Sequence, residues 1–156
     1  MTNLSKDFLI ETPMLDFNHP QIKALVEQRK WRNLSQYEAI GAIYNYVRDE
    51  IRFGYNADDR LSASQVLKDG YGQCNTKGTL LIALLRAVGV STRFHGFTIF
   101  NELQRGAIPN YLFFFAPKRI IHSWVEVYHN DRWLNLEGYI IDQSYLKQIQ
   151  SSFANQ

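Results

Sequence analysis

The stretch Tyr71-Gly72-Gln73-Cys74-Asn75-Thr76-Lys77-Gly78, running directly into residues 79–88, constrains this chain more than any other. Leu80, Leu81, Ile82, Ala83, Leu84, Leu85, Ala87 and Val88 place apolar side chains on every face, as in a helix surrounded by protein. Gly89 supplies its C-terminal stop, with Arg86 in the last turn. The two glycines around the chain's single cysteine suggest a tight turn, so Cys74 falls at or just before the N-terminus of a central helix. Unpaired N–H groups and the positive end of the helix dipole gather there and favour a thiolate over a thiol. A lone cysteine is more often a small buried hydrophobe. A nucleophilic role therefore requires a base and an orienting group elsewhere in the chain.

The bounds are those of an ordinary globular protein. With 156 residues the chain fits one domain, residues 1–156, able to bury a substantial core. At 46% hydrophobic and 21% charged it lies far from disordered compositions. A net charge of +2 gives no argument for nucleic acid or an anionic membrane as partner. One cysteine excludes an internal disulfide and a Cys-rich metal site. No apolar run reaches the roughly 20 residues of a membrane helix. The first eleven residues lack the pattern of a secretory signal, so the expected location is cytoplasmic. No metal or cofactor is expected. The paired Asp58 and Asp59 lack the spaced oxygen ligands of a calcium loop and read as loop charges.

Local signals order the remainder. Residues 1–18 read as an extended lead-in, and Asn18-His19-Pro20 opens a helix with His19 as a surface turn residue. Ser35-Gln36-Tyr37-Glu38 fits a capping box, followed by Ile40, Ile43, Tyr44, Val47 and Ile51 along one helical face. Residues 52–60 read as a loop, and Ser62 opens a short helix ending at Asp69-Gly70. Residues 92–100, rich in aromatic and β-branched side chains, read as a strand with His95 inside it. Tyr111, Leu112, Phe113, Phe114 and Phe115 form either a groove wall or a buried strand. Residues 121–129 and 132–137 form a hairpin about Asn130-Asp131, and residues 142–153 a terminal helix.

The hairpin supplies a geometric test. With Asn130 and Asp131 as the turn, His129 faces Arg132 and Trp124 faces Glu137. His122 and Glu137 then share a face as diagonal neighbours, with backbones roughly 7–8 Å apart. A one-residue slip would separate them onto opposite faces. Cys74, His122 and Glu137 are thus the candidate catalytic residues: nucleophile, base, and the carboxylate that orients the imidazole.

These features resemble the transglutaminase-like superfamily of papain-like cysteine enzymes. The resemblance rests on Tyr71-Gly72-Gln73-Cys74 before a helix ending Leu84-Leu85-Arg86-Ala87-Val88-Gly89-Val90. It continues through Thr92-Arg93 to His122-Ser123-Trp124-Val125-Glu126-Val127-Tyr128 and Trp133. It covers roughly residues 12–142. It implies an α+β papain-like core, with N-terminal helices and the Cys-bearing helix packed on an antiparallel β-sheet and Cys74 facing His122. It also implies acyl transfer on the amide of a peptide or protein substrate through a thioester, with hydrolysis or amine transfer as outcomes. Glu137-Gly138 stands where the family usually carries aspartate. The oxyanion would meet the Cys74 N–H and a second donor, for which Tyr55 and Gln73 are the candidates. Two other readings share the fold: a binding module with little or no catalysis, and an arylamine-type acyltransferase, which the short chain disfavours.

Overall fold

The computed structural model describes residues 7–100 and 118–153. A 3-10 turn at Asp7–Leu9 precedes helix α1, Pro20–Gln28, whose first position is the proline. The His19 ring accepts from the Gln21 N–H and caps this helix, a structural duty that accounts for its position. Helix α2, Gln36–Asp49, opens with the anticipated reciprocal cap: Ser35 Oγ accepts from the Glu38 N–H, and Glu38 Oε2 accepts from the Ser35 N–H at 3.0 Å. Helix α3, Ala63–Asp69, is capped by Ser62 and closed by Gly70 at φ +71, the left-handed conformation that glycine adopts without a Cβ penalty. Helix α4, Cys74–Ala87, starts at the cysteine itself, and its polar first turn is fully helical.

Strands β3, Thr92–Phe100, β4, Arg119–His129, and β5, Arg132–Leu136, form an antiparallel sheet in that order. The β4–β5 turn has Asn130 at φ 49 and Asp131 at φ 60, the pair of left-handed residues a two-residue hairpin needs. The register follows as expected, His129 opposite Arg132 and Val125 opposite Leu136. Two residues depart from expectation. Arg52–Phe53, read as loop, forms a short strand β1 pairing in parallel with β2, Tyr71–Gly72. A two-residue strand carries too little side-chain alternation to register as a pattern. The last helix, α5, spans Gln143–Phe153, with Asp142 Oδ1 accepting from the Tyr145 N–H at 2.8 Å as its cap. The aromatic segment Tyr111–Phe115 lies outside the described residues. No helix among the described residues is long and apolar enough to cross a membrane.

The main helices and the sheet meet at α4. Helices α1, α2 and α3 touch it from one side, and β3 and β4 from the other. Leu80, Leu81, Ile82, Leu84 and Leu85 are buried to 1% exposure or less, each contributing about 1.5–3 kcal/mol by leaving water. The sheet comes close because position 78 has no side chain. A Cβ on Gly78 would stand 2.5 Å from the Phe94 ring and 2.8 Å from the Tyr139 hydroxyl.

Lys77, in the first turn of α4, is 0% exposed. Its Nζ donates to the carbonyls of Arg48 (3.1 Å) and Ile51 (2.7 Å) at the end of α2, and of Ile140 (2.9 Å) beyond β5. One side chain thus fastens the central helix to the end of α2 and to the segment carrying Glu137 and Tyr139. Burial holds its ammonium down to about 8, against the pull of Asp142 and Asp49.

Two predictions follow from this packing. Gly78→Ala should destabilise the fold by about 1–3 kcal/mol, seen as a lower urea midpoint with unchanged slope. Between pH 8 and about 10.4 the unfolded chain keeps the Lys77 proton that the folded protein has lost, so this group adds stability as pH rises. The urea midpoint of the native protein should therefore gain on that of Lys77→Met from pH 7 to 10. Parallel curves would contradict the burial penalty.

Candidate active site

The nucleophile candidate is held by its neighbours on the first turn of α4. Gln73 is the N-cap residue, and its N–H donates to Thr76 Oγ1 at 2.9 Å. Thr76 is buried, and its hydroxyl donates to Asn56 Oδ1 at 2.6 Å, which draws residues 54–62 across the helix start. Gly72 permits this turn: a Cβ there would stand 2.6 Å from Thr76 Oγ1. Tyr139, fully buried, donates from Oη to the Cys74 carbonyl at 3.1 Å, anchoring the backbone of Cys74 from beyond β5.

The thiol itself lies against β4. Strand β5 ends at Leu136, opposite Val125, so β4 has no β5 partner from Trp124 back to His122. In a two-residue hairpin the flanking pair, here His129 and Arg132, exchanges hydrogen bonds, and alternate residues of β4 then aim their N–H groups at the β5 side. Counting back along β4, Ser123 is one of these. Its N–H is accordingly free to donate to the Cys74 sulfur, and its hydroxyl oxygen lies close to that sulfur. Asn75 closes the arrangement: its Oδ1 accepts from Cys74 Sγ at 3.6 Å and from Ser123 Oγ at 2.9 Å.

Position at a helix N-terminus was expected to favour the thiolate. The net effect here is the opposite. Burial pushes the Cys74 thiol above its ordinary range and the charge of Asp59 adds to this, outweighing the donors of Asn75 and Ser123. Asp59, read from sequence as a loop charge, sits where its carboxylate accepts from the side-chain amides of both residues flanking the cysteine, Gln73 Nε2 and Asn75 Nδ2. Its neighbour Asp58 does behave as a loop charge, paired with Arg60 at 3.0 Å.

His122 lies one residue from the thiol's contact. Side chains alternate along β4, so Ser123, Val125 and Val127 meet α4 while His122 and Trp124 occupy the other face. There the His122 ring meets Phe97 edge-on at 5.2 Å, and His95 stacks on Trp124 at 4.3 Å. His95 is thereby a packing residue, with Glu126 3.7 Å from its Nδ1. Burial lowers the His122 imidazole below its usual range, and the charge of Glu137 opposes that shift. Glu137 is exposed just past β5, and Tyr44 Oη fixes its carbonyl at 2.6 Å. Gly138 turns the chain there at φ +79, with the Tyr44 hydroxyl 3.1 Å from where a Cβ would stand. The fold thus brings His122 and Glu137 within electrostatic reach. Among the described residues no hydrogen bond joins His122 to Cys74 or to Glu137.

Of the two oxyanion-donor candidates, Tyr55 lies near enough for the Cys74 charge to help raise its phenol, after burial and Tyr145. Gln73 commits its amide N–H to Asp59, and its Oε1 is buried without a partner among the described residues. Sequence reasoning passed over Ser123, Asn75, Asp59 and Tyr139. Only Ser123 carried a signal, because it shares the inward phase of Val125 and Val127.

Comparison with known proteins now bears on this arrangement. The family model of the transglutaminase-like superfamily matches residues 23–138. A candidate cysteine protease from Cytophaga hutchinsonii superposes with a TM-score of 0.69 at 15% identity, covering 90% of this chain and 43% of that one. The periplasmic domain of TgpA from Pseudomonas aeruginosa, bound to ethylmercury, superposes with a TM-score of 0.56 at 15% identity, covering 87% of this chain and 49% of that one. The chain therefore spans less than half of each of these structures. No curated protein sequence matches it. The match over residues 23–138 takes in the cysteine turn, the central helix and the hairpin together, and the chain belongs to the transglutaminase-like superfamily.

Proposed function

We propose that this protein is a cysteine-dependent acyl-transfer enzyme acting on the amide bond of a peptide or protein through a thioester on Cys74. The reading is supported by the seating of the Cys74 thiol at the first turn of α4 against Ser123, the residue that follows His122 in β4, and by the charge of Glu137 acting on the His122 imidazole. Burial raises the thiol and lowers the imidazole, so the resting pair is neutral and His122 is free to act as a base. In the reaction the imidazole takes the thiol proton as sulfur attacks the amide carbonyl. Glu137 stabilises the imidazolium, which then protonates the departing amine. Water resolves the thioester in hydrolysis, and a second amine resolves it in transfer. The Cys74 N–H, at the open end of α4, and Tyr55 or Gln73 would receive the oxyanion. A cytoplasmic setting, where thiols stay reduced, suits a lone nucleophilic cysteine.

One observation favours a second reading. The thiol donates to Asn75 rather than to His122, as in a domain that keeps the fold for binding with little catalysis. Intact-mass spectrometry separates the two. The protein is mixed with a panel of peptide amides and activated acyl esters, quenched in acid, and searched for an acyl adduct released by hydroxylamine. The enzyme reading expects the adduct in the native protein and its loss in Cys74→Ser. It expects Glu137→Gln to lower the acylation rate by roughly 10²-fold with the fold intact. A native protein that binds peptide and never acylates would establish the binding module.

A further inference from the structure

Asp59 has no part in the proposed chemistry, yet it stands over the nucleophile. Its two oxygens accept from Gln73 Nε2 and Asn75 Nδ2, so the residues on either side of Cys74 hold the carboxylate in place. Both partners are neutral amides, and no lysine, arginine or histidine among the described residues forms an ion pair with it. The nearest cation in sequence, Arg60, is engaged by Asp58. Asp59 is exposed. Its charge opposes ionisation of the thiol that the enzyme must ionise. A fixed, uncompensated carboxylate that hinders the free nucleophile is explained when the substrate brings the opposite charge.

We propose that Asp59 is a specificity-determining residue that receives an alkylammonium group of the substrate, so that the Cys74 site selects cationic reactants. This rests on Cys74 being the reacting atom, and it names the charge of what approaches it. An ammonium group arriving at Asp59 neutralises the carboxylate and removes its opposition to the thiolate. Binding of the right substrate thereby activates the nucleophile. The protein as a whole carries a net charge of +2, so any preference for cations at this thiol must arise locally.

Charged thiol reagents test this without knowledge of the natural substrate. Cationic aminoethyl, anionic sulfonatoethyl and neutral methyl methanethiosulfonates react by one step: the Cys74 thiolate attacks the sulfenyl sulfur, a disulfide forms, and methanesulfinate leaves. Second-order rates, normalised to those of 2-mercaptoethanol, give a cation-to-anion ratio for the site. The native protein should show a ratio of roughly tenfold or more at low salt, compressed at high salt. Asp59→Asn and Asp59→Ser should both bring it near one, while Asp131→Asn, in the distant β4–β5 turn, should leave it unchanged. Each Asp59 variant should also react faster than native protein with the neutral reagent at neutral pH. A native ratio at or below one, or a ratio that survives both Asp59 variants, overturns the proposal. The readout needs only an accessible thiol. Failure of the acyl-transfer reading would appear in the adduct search and failure of this one in the ratio. Peptide amides carrying lysine or norleucine beside the reacting carbonyl then report whether the acyl donor bears the cation. Capture of the thioester by cadaverine against neutral hydroxylamine reports whether the acceptor does.

Discussion

The close seat of α4 against the sheet is the constraint on which the rest depends. Gly78 lets Phe94 and Tyr139 approach the helix axis, and Tyr139 spends its hydroxyl on the Cys74 carbonyl. Lys77 and Thr76, in the same turn, reach the other way to α2 and to Asn56. The first turn of the helix is therefore polar and buried at once. Thr76 and Lys77 each satisfy backbone or amide groups that burial would otherwise leave unpaired. The placement of Cys74 follows from these bonds rather than from the apolar run behind it.

That burial also sets the chemistry. A thiol surrounded by protein loses hydration that a thiolate needs, and the helix end supplies only part of it back. The same loss keeps His122 neutral. A neutral pair is a competent starting point for general-base attack, but it gives the free protein little reactive thiolate. In the proposed reaction, a substrate that alters the electrostatics on binding, through Asp59 or by drawing His122 to the sulfur, would contribute to its own turnover. In the proposed reaction Glu137, whose carbonyl Tyr44 holds beside the turn at Gly138, would favour the imidazolium.

Much of this was readable from the chain because the signals were local. Ser35 with Glu38, Ser62 before Gln65, and Asn130-Asp131 each act within four residues, and the hairpin turn sets the expected register of β4 against β5. Four features were not readable. The β1–β2 pair brings together residues about twenty apart with no periodic pattern. Asp59 gains its meaning only when the 54–62 loop folds over α4. Lys77 is a surface residue by type, and only the three carbonyls facing it explain its burial. The direction of the Cys74 shift needs the balance of burial against donors, which sequence position alone misjudged.

The most direct test of the account is the pH dependence of Cys74 alkylation by iodoacetamide in the native protein and in His122→Ala. A neutral thiol–imidazole pair in exchange with its thiolate–imidazolium form gives a rate that persists below neutrality, where free thiolate is scarce, and a main rise above the ordinary cysteine range of about 8.5. The account predicts that His122→Ala removes the acid-side reactivity and keeps the alkaline rise. A single alkaline titration, identical in both proteins, would show that His122 does not serve Cys74 and would contradict the catalytic assignment.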